Sequence, residues 1–135
     1  MKKIGIIYWS GTGNTEAMAN AIAEGVQAAG GEADLMGPSE FGTDKIGAYD
    51  ALAFGCPAMG SEELEETEVA PMWESVCGSL GSKTVALFGS YGWGDGEWMR
   101  NWQASCDAEE TLICLETPDA GKLEECRALG QRLAG

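Results

Sequence analysis

Residues 3–15 read K-I-G-I-I-Y-W-S-G-T-G-N-T, and the architecture turns on how this stretch changes character at Ser10. Lys3–Trp9 is a continuous apolar run with β-branched residues, the pattern of a strand buried on both faces. Ser10-Gly11-Thr12-Gly13-Asn14-Thr15 breaks it with glycines, hydroxyls and an amide. From Thr15 to Ala29 the period becomes helical, with Met18, Ile22, Val26 and Ala29 recurring on one face and Gly30-Gly31 closing the segment. Strand, polar glycine turn, helix: this is the opening of a βαβ unit.

The same alternation continues along the chain. Ala33–Met36 is a short strand closed by Gly37-Pro38, and Thr43–Tyr49 holds one or two helical turns. Ala51–Cys56 is a second strongly apolar run, followed by a loop, Pro57–Leu64. Pro71–Leu80 reads as a helix with Pro71 in its first turn and Trp73, Val76 and Leu80 on one face. Thr84–Phe88 is a buried strand, Gly89–Gly96 a loop with four glycines in eight residues, and Glu97–Cys106 a helix with Trp98, Trp102 and Cys106 spaced by four. Thr111–Leu115 is the fifth strand, and Ala120–Leu133 a closing helix that turns Leu123, Cys126, Leu129 or Gly130, and Leu133 inward. Strands alternating with helices predict an α/β fold, a doubly wound parallel sheet with helices on both faces. Ligands of such sheets sit at the carboxyl ends of the strands, where the strand order reverses. The loops after the first, third and fourth strands are therefore the candidate site.

Composition limits what that site does. The 135 residues suit one domain spanning 1–135. With 22 Asp and Glu against 8 Lys and Arg, the formal charge is -14. Nucleic acid and anionic membrane need a basic footprint, so neither is an expected partner. A basic partner surface suits this charge. The chain has no histidine, which removes His-dependent nucleophilic catalysis and His-ligated metal sites. The five cysteines, Cys56, Cys77, Cys106, Cys114 and Cys126, form no C-x-x-C pair and read as reduced, mostly buried thiols of a cytoplasmic protein. Lys2-Lys3 precedes too short an apolar run for a signal peptide, and no stretch reaches a membrane span.

The first loop is a phosphate cradle: hydroxyls, the Asn14 amide and backbone N–H groups at the positive end of a helix. It lacks G-K-[ST], and Glu16 stands where a dinucleotide fingerprint has its third glycine. No Lys or Arg lies between residues 4 and 44, so neutral donors would hold the anion. The plain alternative is a Ser/Thr-rich turn that only caps the helix. The second loop, Pro57-Ala58-Met59-Gly60-Ser61-Glu62-Glu63, and the third, Gly89-Ser90-Tyr91-Gly92-Trp93-Gly94-Asp95-Gly96, place a thioether and an indole at adjacent strand ends. A flat ring stacked between Trp93 and Met59 accounts for both; alternatively Trp93 folds onto the sheet edge and Met59 is core.

The stretches S-G-T-G-N-T-E, P-A-M-G-S-E-E-L and G-S-Y-G-W-G-D-G-E-W-M, in this order, resemble the three cofactor loops of short-chain flavodoxins of anaerobic bacteria. The resemblance implies the strand order 2-1-3-4-5 and non-covalently bound FMN. It implies that Ser10, Gly11, Thr12, Gly13, Asn14 and Thr15 hold the phosphate. Pro57, Ala58, Met59, Gly60, Ser61 and Glu62 line one side of the flavin, with Met59 on the inner face, Glu62 at the ring N3–H and the Gly60–Ser61 peptide beside N5. Ser90, Tyr91, Gly92, Trp93 and Gly94 line the other, with Trp93 on the outer face. The implied function is a low-potential one-electron carrier, not an enzyme, shuttling between semiquinone and hydroquinone in place of ferredoxin. Its implied partners are redox proteins with basic docking surfaces, such as ferredoxin-dependent oxidoreductases and reductases, and a monomer is expected. No metal site and no catalytic residue are expected. A flavodoxin-like NAD(P)H:quinone reductase and a non-redox module of the same fold remain alternatives at this point.

Overall fold

In the computed structural model, residues 2–11, 13–59, 64–81, 83–92, 96–105, 108 and 110–135 are described. Five strands, β1 (Lys3–Tyr8), β2 (Glu32–Met36), β3 (Ala51–Gly55), β4 (Thr84–Tyr91) and β5 (Glu110–Leu115), pair in parallel in the order β2-β1-β3-β4-β5. Between and after them run α1 (Asn14–Ala28), α2 (Val69–Val76), α3 (Glu97–Ala104) and α4 (Ala120–Ala134). The doubly wound sheet and its order are thus as expected.

The alternation of side chains along each strand sorts the core into two layers. Ile7, Leu52, Phe54, Val85 and Leu87 face α2 and α3, where they meet Val69, Met72, Trp73, Val76, Trp98 and Trp102. The aromatic rings here stack edge to face, Phe54 on Trp73 at 5.0 Å and Trp73 on Trp102 at 5.5 Å between centroids. Ile4, Ile6, Ala51, Ala53, Ala86 and Phe88 face α1 and α4. On that side the middle of the sheet is an alanine floor, and the two helices also pack on each other. A Cβ on Gly25 would lie 1.9 Å from the Arg127 carbonyl oxygen, and one on Gly130 would lie 2.0 Å from that of Ile22. Each helix therefore seats the other's backbone against a glycine.

Several boundaries differ from the sequence reading. β4 continues through Ser90 and Tyr91, where a glycine loop is expected from Gly89. Pairing with β5 explains this: Gly89, Ser90 and Tyr91 stand opposite Ile113, Cys114 and Leu115. In α1 the inward position after Val26 is not taken by Ala29, which is exposed, and Gly25 is buried instead. The expected helix Pro71–Leu80 begins at Val69 and passes into a 3-10 turn, Cys77–Ser79, where Gly78 weakens the α-helix. Thr43–Ala48 is a 3-10 turn. Leu123 is half-buried while Cys126, Leu129, Gly130 and Leu133 are buried, and Cys106 lies outside the described residues.

Of the described cysteines, Cys56, Cys114 and Cys126 are buried, and all are free thiols. Burial pushes the thiols of Cys56 and Cys126 up to about 12.

Gly130→Ala is expected to lower stability by about 2 kcal/mol or more, because a backbone carbonyl has no slack to yield; urea unfolding checks it, and an unchanged midpoint refutes the close seat. In the native protein at pH 8, Cys56 and Cys126 should resist iodoacetamide, which needs the thiolate, while all five cysteines react after unfolding. Peptide mass mapping of the labelled protein reads this out.

Candidate functional site

The turn after β1 is organised by one hydroxyl. Ser10 Oγ accepts the N–H of Gly13 at 3.1 Å and that of Glu16 at 3.3 Å. Gly13 takes φ +94, a left-handed backbone that a side chain would strain, although nothing crowds its Cβ position. So Ser10 does cap α1, as the plain reading of the turn required. It also leaves more than a cap. With its oxygen accepting, the Ser10 O–H proton remains to be donated outward. The N–H groups of Asn14 and Thr15, in the same turn, have no partner within a helix. The open end of α1 is a set of neutral donors at the positive end of a helix.

Thr15 is 1% exposed, and its hydroxyl lies 3.4 Å from that of buried Ser90. This contact pins the start of α1 to β4 across the site. Ala58 N–H donates to the Ser90 carbonyl at 3.0 Å, so the chain leaving β3 follows β4 for three residues past Gly55. Beneath it, Trp98 Nε1–H donates to the Cys56 carbonyl at 3.2 Å, and the Tyr91 ring packs on Trp98 at 5.5 Å. A Cβ on Gly89 would meet the Cys56 oxygen at 2.1 Å, so only glycine permits this approach of β3 and β4.

Together these elements leave a cleft of about 180 Å³ lined by Asn14, Pro57, Ala58, Ser90, Tyr91, Gly92 and Glu116. Of the residues singled out in the sequence, Asn14, Pro57, Ala58, Ser90, Tyr91 and Gly92 meet here. Ser10, Gly11, Gly13 and Thr15 form the adjoining turn, and Met59 is half-buried on the loop beyond Ala58, so it is not a fully buried core residue. Thr12, Gly60, Ser61, Glu62, Trp93 and Gly94 lie outside the described residues. Glu116 was not anticipated. It has φ +57, a left-handed backbone uncommon for a residue with a side chain, and its N–H donates to the Tyr91 carbonyl at 2.7 Å. The only sequence signal for it was its place directly after the last strand, beside the switch-point loops.

A larger opening of about 350 Å³, lined in part by Trp73, Trp98 and Trp102, lies between α2 and α3. Among the described residues no cluster of His, Cys, Asp and Glu is placed to hold a metal, and no helix is long and apolar enough to cross a membrane. The donor set at the cleft fits FMN. Neutral N–H and O–H groups suit a phosphomonoester, and the adjoining cleft between β3 and β4 is walled by Pro57, Ala58 and Tyr91.

The flavodoxin family model matches residues 6–112. The chain is 46% identical over 134 residues to a flavodoxin of Megasphaera elsdenii, covering 96% of each chain. It is 43% identical over 135 residues to a flavodoxin of Clostridium beijerinckii, covering 96% of this chain and 97% of that one. The solution structure of two-electron reduced Megasphaera elsdenii flavodoxin superposes with a TM-score of 0.89 at 44% identity, covering 97% of this chain and 98% of the other. The chain therefore belongs to the flavodoxin family, as an FMN-binding electron-transfer protein and not an enzyme.

Proposed function

We propose that residues 1–135 form one FMN-binding domain that carries single electrons at low potential between redox enzymes, in the place of ferredoxin. The observation that carries this reading is the meeting of the open α1 N-terminus with a cleft at the switch point, built from residues after β1, β3, β4 and β5. FMN supplies the one-electron chemistry when bound, and the protein tunes it.

Each loop has a part. The Ser10 O–H, the Asn14 amide and the N–H groups of Gly11, Thr12, Asn14 and Thr15 take the phosphate, Thr12 adding its hydroxyl, while the Gly13 N–H stays on Ser10 Oγ and holds the turn. The Thr15 side chain acts indirectly, by holding Ser90. Pro57, Ala58, Met59, Gly60, Ser61 and Glu62 border one side of the ring, with Ser90, Tyr91, Gly92, Trp93 and Gly94 on the other. Trp93 and Met59 exclude water from the ring faces. Glu116 at the cleft wall opposes further negative charge there, as would Glu62, and that lowers the potential. The remaining acidic charge steers a basic docking surface on an iron–sulfur or flavin partner, and the carrier works as a cytoplasmic monomer.

Titration of the apoprotein with FMN and with riboflavin, followed by flavin fluorescence, tests the phosphate assignment. FMN should bind about a hundred-fold more tightly, since several hydrogen bonds of about 1 kcal/mol each are lost with the phosphate; equal affinities overturn it. The rate of electron transfer to a basic redox protein, read by stopped-flow absorbance, should fall about ten-fold from low to physiological ionic strength. A flat salt profile removes the steering role.

A further inference from the structure

Glu65 is the one charged side chain buried among the described residues, at 5% exposed. It sits in an acidic stretch, E-E-L-E-E-T-E from Glu62 to Glu68, whose plain reading is a solvated face. Its carboxylate instead turns inward onto the first turn of α2. One oxygen accepts the N–H groups of Glu68 at 2.7 Å and Val69 at 3.1 Å. The other accepts the N–H of Thr67 at 2.8 Å and the Thr67 hydroxyl. Burial works to raise its pKa, but these hydrogen bonds outweigh it and hold the carboxyl below the usual range.

The backbone of the same residue reaches the other way. Glu65 N–H donates to Cys56 Sγ at 3.4 Å, and Cys56 in turn donates to the Pro57 carbonyl at 3.3 Å. Cys56 and Glu65 are nine positions apart, so this bond closes the loop 57–64 at its neck. A Ser or Thr at the helix boundary would cap α2 without burying a charge. Glu65 does more than cap: it ties the helix start, the loop exit and the end of β3 into one unit. Glu68 extends the unit, since its carboxylate accepts Trp9 Nε1–H at 3.0 Å, beside the turn after β1.

We propose that Glu65 is a positioning residue for the FMN ring: by closing the neck of loop 57–64 it removes loop freedom before the cofactor binds. This rests on the reading of Met59–Glu62 as ring contacts. Pre-ordering of a binding loop shows in affinity, because the ordering cost no longer falls on binding. It also shows in the two one-electron potentials, because a looser loop presents its dipoles to the ring less definitely.

The test uses the full-length holoprotein with Glu65→Gln, which keeps the volume but sets an amide N–H₂ against donors. The Kd for FMN is expected to rise about ten-fold, the effect of one charge-assisted hydrogen bond. Riboflavin should lose the same factor, which places the loss on the ring side, and the gap between the two midpoint potentials should narrow. Thr67→Val removes one donor while leaving the backbone bonds. It should move the same quantities less, and it serves if Glu65→Gln does not fold. A lower unfolding temperature with unchanged Kd and potentials would make Glu65 a helix cap only and overturn the proposal. A loss confined to FMN, with riboflavin unaffected, would overturn it as well. Met59→Ala tests the underlying reading separately: unchanged FMN affinity there removes the loop from the site, whatever Glu65 does.

Discussion

A parallel sheet has to be covered on both faces, and here the chain meets that demand by sending α1 to one side and α2 to the other. The helices that follow β1 and β3, which are neighbours in the sheet, therefore diverge. Their divergence opens the crevice that becomes the cleft. The α1–α4 layer fits this tightly because the middle of the sheet beneath it is floored by Ala51, Ala53 and Ala86 and the helices touch through Gly25 and Gly130. Bulk is placed on the opposite face, where tryptophans from α2 and α3 fill the space and Trp98 reaches the Cys56 carbonyl at the site's floor. Site and core are one packing problem.

The strands and the position of the three loops were legible because the buried strands are short apolar runs closed by polar, glycine or proline residues, whereas the strand order followed only from the family resemblance. What was illegible depended on partners distant in sequence. Gly89 looks like the start of a loop, yet it is a strand residue made necessary by the Cys56 oxygen. Glu65 is one glutamate among several, and only the folded chain brings four donors to it. Glu116 is ordinary in sequence and becomes part of the cleft through its left-handed backbone. Gly25 replaces Ala29 on the inner face because the neighbouring helix comes too close for a side chain there. Ser10 shows that a turn can cap a helix and keep donors for a ligand, so the two sequence readings did not exclude each other.

The acidic excess divides by location. Glu24 and Glu124 pair with Arg127, Glu110 with Arg132, and Glu32 and Asp34 with Lys3, all on the surface, where such pairs add little stability. Glu65 is stabilised as an anion by hydrogen bonds from backbone N–H groups and the Thr67 hydroxyl. Glu116 stands at the cleft itself. The charge that matters to the cofactor is thus a small part of the total, and the rest shapes the long-range field.

Tyr91 ends β4 opposite Leu115, and the Glu116 N–H bonds the Tyr91 carbonyl, so one wall of the cleft is stitched to the outermost strand of the sheet. Outer strands open first in native-state fluctuations. Amide hydrogens at the end of β5 should then exchange with solvent through the same opening that widens the cleft. Solvent deuterium uptake at Leu115 and Glu116 becomes a local gauge of whether the cleft is filled.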